Sequence, residues 1–476
     1  MKPDLLIVAW DGAPYGPVRR WLEGGILPNL RGLVGPNGVR PLISTVPPIT
    51  PTAWASFHLG VNPGKHGIFD FLHYRPGERP RLVSAQDFPF PTFWELLAEE
   101  VPVGFLGFPM GFPPRPLKRG FWVPGFLAPS RSPTHPPEAM RLLREEVGTY
   151  QFSPPPPRPG AGWIEELKQA IRRRTRAALV LARAYRPRVL GVHYQVTDTV
   201  QHSRWGEDAV EEVFAEADRA LGELVGELAP RDVLVISDHG MGPIRWEFHL
   251  NTWLWRRGFI TLRGGARRWV KRALFASGIS PVRVQRLAEG IARALDKFPP
   301  TRDLATFWRG ALLGHALFPS LNDADWDRTA AYSLGGMGAI TVCDGGRRSE
   351  VIEALYETRL PGGDPLVARI MSADEIYWGE RTEDAPDLFL IGREDVLISS
   401  HFLFLHHEEF SPPSLPAHHR AKGILCHPSD PGVVRDPPIW AIAPAILRRF
   451  GIEPPPHMDT GPSPNGMEKP SLTRYL

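Results

Sequence analysis

Leu5-Leu6-Ile7-Val8-Ala9-Trp10-Asp11-Gly12 decides how the rest of the chain is read. Six apolar residues in a row, stopped by an acid and a glycine, predict a strand covered on both faces, because a half-exposed strand would alternate apolar and polar. Similar short runs recur at Val103–Phe108, Val189–Tyr194, Val233–Ser237, Ala339–Val342 and Leu388–Ile391. They are expected to be buried parallel strands. Between some of them lie helical stretches, clearest at Trp163–Tyr185, with Leu167, Ile171, Ala178 and Leu181 at helical spacing, and again at Val210–Leu228. Strands alternating with helices predict the α/β class, a central and mostly parallel sheet with helices on both faces.

The 476 residues allow about three domains at roughly 150 residues each, or one large core with insertions. Hydrophobic residues make up 42% and charged residues 22%, as in globular chains. Fifteen Trp and 24 Phe supply core material and argue against a disordered chain. With 55 basic and 52 acidic residues the formal charge is +3, too near neutral to indicate a nucleic acid polymer as partner. Cys343 and Cys426 alone cannot build a disulfide scaffold or a cysteine metal knuckle, and a reducing compartment fits them. The first apolar run is six residues long and meets Asp11, so no secretory signal is expected. The longest uncharged run, Pro41 to Gly64, holds five prolines and does not read as a membrane span. A cytoplasmic protein is expected, with peripheral membrane contact not favoured.

Two regions interrupt the strand–helix pattern. Residues 110–160 are dense in proline and are expected to be surface loops. Residues 262–300 are basic and helical in pattern, with Arg267, Arg268, Lys271 and Arg272 around Trp269, Leu274 and Phe275. These readings divide the chain into core (1–109), Pro-rich insertion (110–160), core (161–261), basic helical insertion or cap (262–320), core (321–450) and Pro-rich tail (451–476).

Ligands in open α/β sheets bind beyond the carboxyl ends of the strands. Asp11-Gly12 follows the first run, Asp198 and then His202 follow Val189–Tyr194, and Asp238-His239-Gly240 follow Val233–Ser237. Alone, each has a plainer reading as a turn, a local ion pair or a loop. Three carboxylates and two imidazoles arriving at one sheet edge predict a metal centre suited to zinc or manganese. Thr50-Pro51 reads as a helix start, with Thr50 as N-cap and proline in the first turn. A helix N-terminus attracts anions, and a hydroxyl there becomes a nucleophile when a metal lowers its pKa.

These segments resemble the alkaline phosphatase superfamily, most closely its type I phosphodiesterase/nucleotide pyrophosphatase family. The stretches that carry the resemblance are LLIVAWDG (5–12), TPTAWASFHLGVNPGKHGIFDF (50–71), DTVQH (198–202), VISDHGMGP (235–243) and HHRAKGIL (418–425). The resemblance implies an alkaline-phosphatase-like fold with inserted cap segments and two divalent metal ions, usually Zn²⁺, with Mn²⁺ as the other candidate. One ion would be held by Asp198, His202 and His419, with His418 as the rival of His419. The second would be held by Asp11, Asp238, His239 and the oxygen of Thr50. Thr50 would be the nucleophile, with Thr52 as its rival.

The implied activity is hydrolysis of small phosphate esters, phosphodiesters or pyrophosphates preferred, through a phospho-threonine. Relatives usually carry an Asn soon after the nucleophile; here the third position is Ala53, and Pro51 has no N–H to donate. Thr52 and Lys65 are candidate substitutes. A phosphomonoesterase, phosphotransferase or mutase is the alternative within the superfamily. A non-catalytic metal-binding scaffold is the alternative of another class.

Overall fold

The computed structural model describes residues 2–73, 81–264, 271, 319–400, 405–429 and 436–460. Its centre is a seven-stranded sheet. The strands are β1 (Leu5–Trp10), β2 (Val39–Ile43), β3 (Val103–Leu106), β4 (Gly120–Val123), β5 (Val189–Tyr194), β6 (Val233–Ile236) and, late in the chain, β9 (Lys422–Cys426). Their order is β2-β9-β6-β1-β5-β3-β4. β1 sits in the middle, parallel to both β5 and β6. Only β9 runs the other way, antiparallel to β6 and β2.

The alternation of side chains along β1 explains its unbroken apolar run. Leu6, Val8 and Trp10 pack with Ile171, Leu181, Phe214 and Leu221, which belong to helices α3 (Ala161–Tyr185) and α5 (Asp208–Leu228). Leu5, Ile7 and Ala9 pack on the opposite face. Their partners there include Trp54 and Phe57 of α1 (Thr50–Leu59), Trp94 of α2 (Phe93–Glu100) and Ile446 of α6 (Ile442–Arg449). A strand with helices on both sides has no face left for a polar residue.

Two strand expectations need correction. Ala339–Val342 and Leu388–Gly392 are strands, but not parallel members of the central sheet. They lie in a separate four-stranded sheet with Ala331–Tyr332 and Val367–Ser372, antiparallel throughout. An apolar run reports burial and carries no information on which strand lies beside it. The surface-loop reading of 110–160 also gives way in part. β4 is an edge strand of the central sheet with Phe121, Trp122 and Val123 buried, and Pro137–Glu146 is helical.

Of the basic segment, Arg267, Arg268 and Arg272 lie outside the described residues; Lys271 pairs with Asp323 at 2.8 Å. In the tail, Met458 and Asp459 are buried against the core. Among the described residues no helix is long and apolar enough to cross a membrane.

Candidate metal centre

The carboxyl edge of the sheet gathers the acids and imidazoles. Asp11 follows β1 directly. After β5 the chain turns into α4 (Val196–Arg204), whose first turn carries Asp198 and whose last carries His202. Asp238 and His239 follow β6, and the chain continues as β7 (Gly240–Pro243). β8 (Ala417–Arg420) pairs antiparallel with β7 and sets His419 opposite Met241. α1 begins at Thr50, one residue earlier than the N-cap reading, because extended Ile49 is the cap residue. Gly60, in the left-handed region at φ 66°, ends this helix.

The side chains converge as two groups that share His239: Asp11 with Asp238 and His239, and Asp198 with His239 and His419. In each group the potential ligand atoms lie within 4.8 Å of one another. His202 Nε2 is 2.9 Å from His419 Nε2 and 3.3 Å from Asp198 Oδ1. Thr50 Oγ1 is 3.3 Å from His239 Nε2. All seven residues singled out from sequence are thus brought together.

Each carboxylate has one oxygen held and one open. Asp11 Oδ2 accepts from Trp54 Nε1 at 2.9 Å and from His193 Nε2 at 2.8 Å. Asp238 Oδ1 accepts from the Gly12 amide at 3.2 Å, and Asp198 Oδ2 from Gln195 Nε2 at 3.4 Å. The other oxygens, Asp11 Oδ1, Asp198 Oδ1 and Asp238 Oδ2, are buried with no hydrogen bond.

The three imidazoles are oriented in one manner. Nδ1 of His202, His239 and His419 donates to the carbonyls of Ala417 (3.2 Å), Gly240 (3.0 Å) and Pro48 (2.9 Å). A ring fixed this way presents the Nε2 lone pair to the centre. Two such lone pairs facing each other at 2.9 Å need a positive charge between them, a proton or a metal ion.

Titration reflects the same crowding. Burial and the charge of Asp198 push the Asp11 carboxyl up to about 7. Burial and Asp11 raise Asp238 well above the usual range. Burial also works against the charge on Asp198, yet His202 and His419 hold its carboxyl well below that range. Burial opposes charge on His202 as well, but Asp198 raises it. Burial and His419 lower His239 to about 4. Three carboxylates with open oxygens and three oriented imidazoles form a donor set that fits divalent cations. The backbone agrees: Gly12 has φ 66°, and a Cβ there would lie 2.9 Å from Asp198 Oδ1.

The rivals differ in their placement. His418 belongs to neither ligand group, although its ring lies 4.6 Å from that of His419 and 5.4 Å from that of His202. Thr52 Oγ1 is buried without a hydrogen bond. Lys65 lies beyond the far end of α1, a helix roughly 15 Å long. There it binds Asp459 Oδ1 at 2.6 Å and the His457 carbonyl at 2.8 Å. Sequence reasoning missed Trp54, His193 and Gln195, which hold the ligand carboxylates. Trp54 reads as apolar, and the one signal for His193 is a histidine inside an otherwise apolar strand.

Residues 5–297, more than half of the chain, match the family described as type I phosphodiesterase/nucleotide pyrophosphatase. No curated protein sequence matches the chain. Two solved structures of phosphonoacetate hydrolase from Sinorhizobium meliloti 1021, one with phosphonoformate and one with phosphonoacetate, superpose with a TM-score of 0.57. They are 14% identical and cover 93% of this chain and 94% of their own, a likeness of fold. The chain therefore belongs to the type I phosphodiesterase/nucleotide pyrophosphatase family and is a metal-dependent phosphoester hydrolase of the alkaline phosphatase superfamily.

Proposed function

We propose that the chain hydrolyses small phosphodiesters or pyrophosphates at a two-metal centre, through a phosphorylated Thr50. The observation that carries this reading is the set of three buried carboxylates, each with one oxygen fixed and one open, beside a hydroxyl on the first residue of a helix. Asp198, His202 and His419 would hold one ion; Asp11, Asp238, His239 and the Thr50 oxygen would hold the other. Divalent ions, zinc first and manganese second, would supply neutralisation of phosphate charge and a lowered hydroxyl pKa at this centre.

The remaining work falls to the chain. Thr50 Oγ forms a bond to phosphorus while the ester P–O bond breaks, and the hydroxyl proton ends on the departing alcohol. Water then cleaves the phospho-threonine and restores the hydroxyl. The free N–H groups of the α1 N-terminus favour the anionic phosphoryl group. Diester preference is supported by a shortage of further donors: Pro51 has no N–H, Ala53 has no polar side chain, and Lys65 is tied to Asp459. A monoester dianion needs more such help than a diester monoanion. The two cysteines, neither in a disulfide, are consistent with work in the cytoplasm.

Turnover of an aryl phosphodiester and the matching monoester tests the reading. The diester is expected to have the higher kcat/KM by about tenfold, or about 1.4 kcal/mol of transition-state binding. Acid quenching during turnover should trap phosphate on Thr50, visible by peptide mass spectrometry. Monoester preference, or phosphate on Thr52 instead, would overturn the corresponding part.

A further inference from the structure

A cleft of about 400 Å³, its open mouth included, lies at the same edge of the sheet, between α3, the segment around Tyr150 and the end of β5. Gln195 joins it to the metal centre: this residue lines the cleft, and its Nε2 reaches Asp198. Besides Tyr194, whose hydroxyl is engaged with Thr175 at 2.8 Å, the polar lining consists of Tyr150, Gln151, Ser153, Arg173, Arg174 and Gln195, with no acid among the lining residues.

Arg174 is buried and is held by carbonyls alone. Nη1 donates to His193 (2.9 Å) and Gly107 (3.4 Å), and Nη2 to Gln151 (3.0 Å) and Phe152 (3.1 Å). Among the described residues neither Arg174 nor Arg173 has a carboxylate partner; Arg173 reaches only the Gln169 amide at 3.4 Å. A buried cation surrounded by dipoles is stabilised further by an anion. The Tyr150 hydroxyl, on a residue 9% exposed, has no hydrogen bond, and the ring lies 5.6 Å from the Arg174 guanidinium carbon. Two guanidinium groups, the hydroxyls of Tyr150 and Ser153 and no acid make a set that selects an anion over a neutral or cationic group.

We propose that this cleft binds an oxyanion, a carboxylate or a phosphate, against Arg173, Arg174 and Tyr150. Its position one residue before α4 suits the distal charged group of a substrate whose ester sits at the metal centre; a free oxyanion has the same chemistry. The substrate arm rests on the hydrolase reading above, and the free-anion arm does not.

The test uses the metal-loaded enzyme and its Arg173→Gln and Tyr150→Phe variants, because Arg174 also ties three backbone segments together. Two probes are compared: an aryl phosphodiester with and without a carboxylate on its far ring, and sulfate at fixed ionic strength, read by melting temperature. If the anion is part of the substrate, the wild type prefers the carboxylated ester by about tenfold, and both variants reduce that preference toward unity. If the anion is free, sulfate raises the melting temperature of the wild type by a few degrees and that of Arg173→Gln by none. A wild type that shows neither effect, or effects that persist unchanged in both variants, overturns the proposal. Should no diester be turned over at all, the hydrolase reading fails by itself while the sulfate arm still decides the cleft.

Discussion

The two edges of the central sheet carry the same residue types and treat them in opposite ways. At the amino edge, Asp4 before β1 pairs with Arg188 and with Arg231 at 3.1 Å. Asp232 before β6 pairs with His427 at 2.8 Å and Arg449 at 2.6 Å. At the carboxyl edge, Asp11 and Asp238 follow the same two strands; their basic neighbours are histidines, His193 at 2.8 Å from Asp11 and His239 at 3.2 Å from Asp238, and neither meets a lysine or an arginine among the described residues. One oxygen of each is left open in the interior. An acid with a basic partner is satisfied by the fold itself. A buried acid with an open oxygen destabilises the fold until a cation arrives. The contrast separates aspartates paired with arginine from the candidate metal ligands.

The largest break in the contrast should come at Thr50. Thr50→Ala is expected to lose about 10³-fold or more in kcat while keeping its metals; Thr50→Ser should keep part of the activity. Near-normal turnover in Thr50→Ala with loss in Thr52→Ala would transfer the nucleophile role. His193→Phe should come next. It removes a donor that fixes Asp11 Oδ2, so metal affinity should fall about 10–100-fold, measured by competition with a chelating dye. Unchanged affinity would reduce His193 to a packing residue.

The amino edge should respond in the other currency. Asp232→Asn breaks two ion pairs and should lower stability by about 1–2 kcal/mol, measured by denaturant unfolding, with kcat/KM and metal content unchanged. Loss of metal in this variant would erase the distinction between the edges.

The smallest effect concerns pH in metal-free protein. The Asp11 carboxyl is raised to about 7 in the fold, from an ordinary value of 3.8. A raised acid contributes stability that is fully present below pH 4 and is lost as pH climbs through about 7. Asp11→Asn does not titrate there. Its stability relative to wild type should therefore rise between pH 4 and 7, by at least ~1 kcal/mol, and then level off. A flat difference across that window would place the repulsion elsewhere.

Much of the candidate site is legible in the sequence because its candidate ligands follow strands that announce themselves. Asp11 and Asp238 stand just beyond apolar runs and Asp198 four residues beyond another, and the covered-strand argument puts them at one edge. Thr50 was legible through its proline. His419 was not, because β8 is a four-residue strand with little apolar content, and only the resemblance pointed to it. β2 and β9 escaped for a related reason: Arg40 and Pro41 interrupt one, and the other begins at an exposed Lys422. β4 was hidden in a proline-dense segment whose composition suggests loops. Of the four strands in the 331–392 sheet, 339–342 and 388–391 are legible as strands but not their place outside the central sheet, since apolar runs do not encode pairing; 331–332 and 367–372 are not legible. Trp54 and His193 could not be read as supports of Asp11, because that role exists only once α1 and β5 are packed beside β1.

We propose that the carboxyl edge holds two divalent cations. Elemental analysis of purified protein, stripped by chelator and then refilled with zinc or manganese, tests it directly when read beside activity on the aryl diester. About two ions per chain are expected, with activity lost on stripping and regained on refilling, and with Asp198→Asn and Asp238→Asn each folded but deficient in metal and nearly inactive. Full activity in the stripped protein, or metal content unchanged in both variants, would contradict the account.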